Sequence, residues 1–235
     1  MNTRLFGMGL AALALLAAPR AHAQGGPPAF EDDRLRPQTR EYRVVAQGNP
    51  VGQSSTTLSR EGEGWKAEMA LQFGPVRQTI TARWGAAWAP LDYRETYAGA
   101  FEGSSEVRLA DGRFTGSATM PQQAGGNKTF DAAAVPGAAW SLMDEAMLST
   151  ADLAEGKTIV IPFFNTSTGA VALVTYTVGA VESVTVPAGT FQAYRVESTG
   201  GSSPLVLWMR AEGPHVVVRQ EVVGQPFVIE LTAMR

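Results

Sequence analysis

The feature that most constrains this chain is a series of short alternating segments between residues 181 and 231. Apolar and polar residues alternate within segments such as 181–186 and 191–197, and β-branched side chains are frequent there. A two-residue period suits strands that bury one face. Glycine and proline turns, for example at residues 187–190, separate the segments, and such short connections join antiparallel neighbours. The stretch therefore predicts antiparallel β-structure.

The same pattern extends over the rest of the chain. Residues 64–73 alternate most regularly, and Asp111-Gly112 is a dipeptide typical of two-residue hairpin turns. We count about fourteen short strands, with residues 171–178 and 181–186 as separate strands, and no alternation of strands with helices. The prediction is an all-β fold. It consists of a strongly curved antiparallel sheet, forming a half-barrel, a barrel or a sandwich, with one short helix packed against it.

The helix is predicted over residues 135–153. Pro136 can begin a helix, and apolar residues follow at spacings of three and four. The preceding residues, 121–128, are rich in glycine and glutamine and predict a loop.

The first residues are typical of a secretory signal peptide, predicted to span residues 1–23. Arg4 supplies a positive charge, and residues 5–18 form an apolar core that is too short to cross a bilayer. Ala21-His22-Ala23 is a small-x-small cleavage site. We therefore expect export, with cleavage near Ala23, to the periplasm or the extracellular space. No other apolar run is long enough to predict a transmembrane segment.

The sequence after the signal peptide divides into a leader and one domain. Residues 24–38 are polar and rich in proline, which predicts a flexible leader. Residues 39–235 contain no clear domain boundary, so we predict a single β-rich domain with its own core.

Composition excludes several classes of function. The chain contains no cysteine, which removes disulfides, thiolate catalysis and zinc–thiolate sites. Its formal charge is −3 and its arginines are scattered singly, so it lacks the basic stripe that nucleic-acid binding needs. One of its two histidines leaves with the signal peptide, which rules out a histidine-rich metal site. We predict no metal, no cofactor and no nucleic-acid partner.

One sequence box in the C-terminal half resembles a known family. The pattern E-x-x-x-x-P-A-G-T-F-x-A-Y-x-V-E is followed by an apolar strand with a tryptophan and then by V-V-V-R-Q-E. This arrangement is similar to the DUF3108 family, most strongly over residues 130–231. The resemblance implies an exported, β-rich protein, and the family has no agreed biochemical activity. The matching residues are Glu182, Pro187, Ala188, Gly189, Thr190, Phe191, Ala193, Tyr194, Val196, Glu197, Trp208, Arg219 and Glu221.

No combination of residues predicts a catalytic site. His215 follows a turn, and no serine stands in a nucleophile-elbow sequence. Two carboxylates close together can act as acid and nucleophile in a hydrolase. Four glutamates lie in or beside predicted strands, but glutamates in strands more commonly just face the solvent. We therefore expect a non-enzymatic protein. A carboxylate-dependent hydrolase is the third hypothesis, ranked after the two that follow from the aromatic residues below. The glutamates concerned are Glu182, Glu197, Glu221 and Glu230.

Aromatic side chains are the remaining indication of function. On a curved sheet they could line a cavity for an apolar ligand, or they could simply fill the core. We predict that the protein binds or carries a hydrophobic small molecule or lipid in the cell envelope. A structural or protein-interaction module of the envelope is the alternative. The candidate ligand-binding residues are Trp65, Trp84, Trp88, Tyr93, Phe101, Trp140 and Trp208.

Overall fold

The computed structural model describes residues 30–122, 125–201 and 203–235. The predicted signal peptide lies outside these ranges. Within them, all strands belong to one antiparallel sheet of 14 strands. The strands are β1 (Gln38–Ala46), β2 (Asn49–Glu61), β3 (Gly64–Phe73), β4 (Val76–Trp84), β5 (Pro90–Gly99), β6 (Gly103–Ala110), β7 (Arg113–Thr119), β8 (Lys128–Ala133), β9 (Thr158–Asn165), β10 (Ala170–Val186), β11 (Gly189–Thr199), β12 (Leu205–Arg210), β13 (Val217–Val222) and β14 (Phe227–Met234).

The sheet consists of two meanders joined at one seam. Strands β1 to β8 pair in chain order, as do β9 to β14, and β1 pairs with β14 to connect the two halves. In that seam Tyr42 lies opposite Leu231. The edge strands β8 and β9 are not hydrogen-bonded to each other, so the sheet does not close into a barrel. The all-β prediction is confirmed, and the closed barrel among its alternatives is wrong because the edge strands lack this pairing.

Strand β10 corrects the sequence analysis. Residues 171–178 and 181–186, predicted as two strands, form one strand whose register with β11 shifts between Val178 and Val181. The one extra residue in β10 forms a bulge that turns the following side chains to the opposite face of the sheet. Glycine is required at position 179, because a Cβ there would lie 2.8 Å from the carbonyl oxygen of Arg195.

Strand β8 was missed by the sequence analysis. It is short, and Phe130 is its one buried residue. A segment with so weak an alternation does not stand out from a loop. The count of about fourteen strands therefore agrees with the structure only because one strand was missed and another was divided into two.

The helix is shorter than predicted. Helix α1 covers Met143–Thr150 instead of residues 135–153, and Pro136 does not begin it. The preceding segment runs along the outer edge of β9 instead. There the Ala139 amide donates to the Pro162 carbonyl and the Phe164 amide donates to the Ala139 carbonyl, each at 2.8 Å. Pairing with this open edge satisfies backbone groups that a longer helix would have satisfied internally.

The main core lies between α1 and one face of the sheet. Both meanders contribute to it, and Met143, Met147 and Leu148 of α1 are buried in it. A smaller cluster lies on the opposite face, since neighbouring residues of β12 alternate between the two. In the described ranges, no helix is long and apolar enough to cross a membrane.

The described part of the predicted leader contacts the main core. Leu35 is buried, and the Phe30 carbonyl accepts a hydrogen bond of 2.9 Å from the Trp88 indole nitrogen. The rest of the predicted leader, up to residue 29, lies outside the described residues.

Candidate functional site

The predicted aromatic residues are not gathered around one cavity. Trp65 and Trp84 lie opposite each other on β3 and β4, and Trp84 stacks on Trp88 with 6.0 Å between ring centroids. Trp140 packs against Tyr93 at 6.1 Å. All five belong to the main core.

The other two predicted residues lie elsewhere. Trp208 belongs to the smaller cluster on the opposite face, where its indole nitrogen donates to Glu182. Phe101 is half-buried and lies 5.1 Å from Tyr97, measured between ring centroids. Of the seven aromatics, Tyr93 and Phe101 line one of the two cavities described below.

A pocket of about 340 Å³, here called the interior cavity, lies between α1 and the face of the sheet that carries the main core, here called the inner face, and it is partly open to solvent. Side chains of both meanders line it, so it depends on the whole fold and not on a single hairpin. Most of its lining is apolar. Representative lining residues are Met69, Leu71, Ile80, Leu148, Leu207 and Val217.

Two acidic residues in the first turn of α1 face this cavity. Glu145 forms an ion pair with Arg40 of β1, and the Arg40 side chain is only 7% exposed. Burial lowers the pKa of Arg40, but the interactions with Glu145 and Tyr42 together outweigh this effect, so the pKa lies above its ordinary value. The guanidinium therefore stays charged inside the protein.

The second acidic residue, Asp144, accepts a hydrogen bond of 2.7 Å from the Tyr176 hydroxyl of β10. Burial raises the pKa of Asp144 to about 6, although this hydrogen bond acts in the opposite direction. Burial also raises the pKa of Tyr176, and the negative charge of Asp144 adds to that effect. The cavity therefore contains a carboxyl group that ionises near neutral pH.

We expect Asp144 to make the protein less stable as the pH rises. Its pKa in the folded state lies above the 3.8 of an ordinary aspartate, so between these values the folded state binds more protons than the unfolded state. The free energy of unfolding should fall by about 2–3 kcal/mol from this group as the pH rises from about 4 to about 7.

Urea denaturation across that pH range measures the effect. Asp144→Asn keeps an acceptor for Tyr176 but cannot ionise, so the variant should lack this part of the slope. Asp152→Asn, at a side chain that is 87% exposed, serves as the control. Equal slopes for wild type and Asp144→Asn would contradict the assignment.

A second cavity of about 330 Å³, here called the polar chamber, adjoins the interior cavity. The two share Gln78, Ile80 and Ser141 in their linings. The polar chamber is lined by strands β4 to β9 and contains several hydrogen-bonding side chains around the carboxylate of Glu95. Glu95 is only 6% exposed although it is an acidic residue.

Two uncharged side chains donate to Glu95. The Gln78 amide and the Tyr97 hydroxyl each donate to Glu95 Oε1 at 2.5 Å. Burial, followed by the negative charge of Glu95, raises the pKa of Tyr97 and also that of Tyr93. Both tyrosines therefore remain protonated at neutral pH, and Tyr97 can donate its hydrogen bond to Glu95.

Sequence reasoning missed Glu95, although a signal was present. Tyr93, Glu95 and Tyr97 occupy one face of a predicted strand, and a carboxylate on an aromatic face calls for an explanation. Asp144, Glu145 and Arg40 carried no comparable signal, because residues distant in sequence bring them together.

The glutamates considered for hydrolysis each interact with a neighbouring side chain. Glu197 pairs with Arg195, Glu221 with Arg219, and Glu230 with Arg43, while Trp208 donates to Glu182. His215 Nδ1 lies 2.8 Å from the Arg210 carbonyl oxygen. No group of three metal-ligating side chains is found in the described ranges.

Comparison with known proteins adds a family and a fold. The model of a family described as a protein of unknown function (DUF3108) matches residues 41–232. No curated protein matches the chain. A β-barrel-like protein of the DUF1849 domain of unknown function from Brucella abortus is similar at 12% identity and a TM-score of 0.56, over 86% of this chain and 98% of that one. A Bacteroides fragilis protein described as exported, with a YmcC-like fold, is similar at 13% identity and a TM-score of 0.30, over 86% and 97%. The likeness to the Brucella protein shows a shared fold and nothing of function.

Proposed function

The chain belongs to the DUF3108 family, and from that premise we propose that it is a non-enzymatic protein that binds an apolar molecule inside its sheet. The observation that carries this proposal is the interior cavity of about 340 Å³. Cavities of roughly 300–1,000 Å³ with mainly apolar walls are typical of small-molecule sites. The site combines such walls with a few polar groups near α1, which could orient a ligand.

The sheet forms a curved container in this proposal. Arg40 of β1 and Tyr176 of β10 both contact α1, while Phe114 of β7 contacts Trp140 just before that helix. In a flat sheet, β7 and β10 would lie about 50 Å apart, because eleven strand spacings separate them. An eight-residue helix is only about 12 Å long. Such contacts favour a strongly curved sheet that surrounds the helix and the cavity.

We propose that the protein acts after export, in the periplasm or outside the cell. The support is the sequence of residues 1–23, with its positive charge, apolar core and small-x-small end. An apolar carrier would be useful there because lipids and other hydrophobic molecules must cross water between membranes.

The proposal predicts saturable binding of a neutral apolar probe, N-phenyl-1-naphthylamine, at one site per chain. Met69→Trp should abolish this binding, because its larger side chain would fill the interior cavity from β3. Fluorescence titration measures the binding, and thermal denaturation verifies that the variant is folded.

Ala70→Trp is the matched control. The side chain of Ala70 follows Met69 in β3 and therefore projects from the other face of the sheet, where it is exposed. This variant should bind the probe as wild type does. Equal binding by wild type and folded Met69→Trp, or no binding by wild type, would refute the proposed function. Mass spectrometry of the intact protein purified from its native host would then identify the natural ligand.

A further inference from the structure

Resting on the proposed function, we propose that the polar chamber binds the positively charged amine head of an amphipathic ligand whose apolar part lies in the interior cavity. The two cavities adjoin at Gln78, Ile80 and Ser141, so one elongated molecule could occupy both. The inference concerns the chemical class of the ligand and not only its apolarity.

The first observation is that Glu95 is buried without a cationic partner among the described residues. Its side chain lies on the inner face of β5, and in the described ranges no lysine or arginine forms an ion pair with it. Its donors, Gln78 and Tyr97, are neutral. Buried carboxylates are normally paired with a cation or a metal. A bound ammonium group would supply the missing positive charge.

The second observation is the hydroxyl group of Ser105. This residue lies directly opposite Glu95 in the pairing of β6 with β5, and it is 1% exposed. Its Oγ atom has no hydrogen-bond partner among the described residues, although it lines the polar chamber. A hydroxyl oxygen can accept a hydrogen bond, so Ser105 and Glu95 together present two acceptors to one donor group.

The charges of the two cavities favour a cation over an anion. Glu145 is neutralised by Arg40, which leaves the carboxylates of Glu95 and, above a pH of about 6, Asp144. Among the described residues that line the polar chamber, Lys128 is the one cationic side chain, and its ammonium group donates to the Ser167 carbonyl. An anionic head placed beside Glu95 would be repelled by that carboxylate.

Three probes that share an eight-carbon chain test the assignment: octylammonium, 1-octanol and octanoate. Titration calorimetry at neutral pH should show octylammonium binding roughly tenfold or more tightly than octanol, because the attraction between an ammonium and a carboxylate adds to the hydrogen bond that either probe can donate. Octanoate should bind more weakly than octanol.

Glu95→Gln should remove the preference for octylammonium over octanol, and thermal denaturation verifies that the variant is folded. Ser105→Ala should weaken octylammonium binding several-fold. Glu106→Gln, at an exposed glutamate of β6, is the matched control and should behave as wild type.

The outcomes separate the two proposals. Octanol binding without a preference for octylammonium, or a preference that survives in Glu95→Gln, would overturn the amine assignment and leave the proposed function intact. Tightest binding of octanoate would overturn the assignment in the same way. Failure of all three probes to bind would overturn both proposals.

Discussion

Phe164→Ala is expected to lower the free energy of unfolding by about 3–5 kcal/mol, the usual loss when a buried phenylalanine is truncated. Phe164 is 1% exposed on edge strand β9. Its ring centroid lies 4.8 Å from that of Phe114 on β7 and 5.5 Å from that of Phe130 on β8. The side chain therefore connects the two ends of a sheet whose edges share no hydrogen bonds.

Urea denaturation measures this loss, and hydrogen exchange shows where it acts. Amides of β8 should exchange faster in the variant, since Phe130 would lose the ring that it packs against. Val160→Ala is the control, because Val160 lies on the same strand and is 39% exposed. Its expected effect is within about 0.5 kcal/mol. A loss below about 1 kcal/mol in Phe164→Ala would show that the two edges do not depend on this contact.

Arg40→Met is expected to lower the free energy of unfolding by about 3 kcal/mol. The substitution removes the cation from a buried ion pair and leaves the Glu145 carboxylate, whose side chain is 24% exposed, without a partner. It also removes the link between β1 and α1. The loss should be visible in urea denaturation at neutral pH.

The double variant Arg40→Met/Glu145→Leu shows why Arg40→Met loses stability. The cause is either the lost attraction of the ion pair or the isolated charge of Glu145. Replacing both charges with apolar groups should restore most of the stability, because the main loss in the single variant comes from burying a carboxylate alone. Arg94→Met removes a pair whose side chains are 63% and 62% exposed, so its effect should stay below about 1 kcal/mol. If the double variant is as unstable as Arg40→Met, the isolated charge is not the cause.

The aromatic residues illustrate how far sequence reasoning could reach. The sequence places Trp65 and Tyr93 on regularly alternating strands, so their burial follows from local pattern alone. Whether a buried ring lines a cavity or fills the core depends on what stands opposite it. For Trp140, that neighbour is Phe114, which a different part of the chain provides.

The contact between Asp144 and Tyr176 is a feature that the sequence could not predict. Their hydrogen bond joins a helix to a strand 32 residues further along the chain. No local pattern signals that pairing, and the raised pKa of Asp144 exists only because the fold buries it. The ionisation of this site is therefore a property of the tertiary structure.

The sequence by itself determined most of the strands, most of their turns and the antiparallel pairing of neighbouring strands, because the two-residue period and the glycine and proline turns act between neighbours in the chain. Tertiary structure alone decided the pairing of β1 with β14 and the two cavities. It also decided that the segment around Ala139 pairs with the edge of β9, which shortens α1. These features depend on contacts between distant residues, whose free energy appears only when the whole sheet has formed.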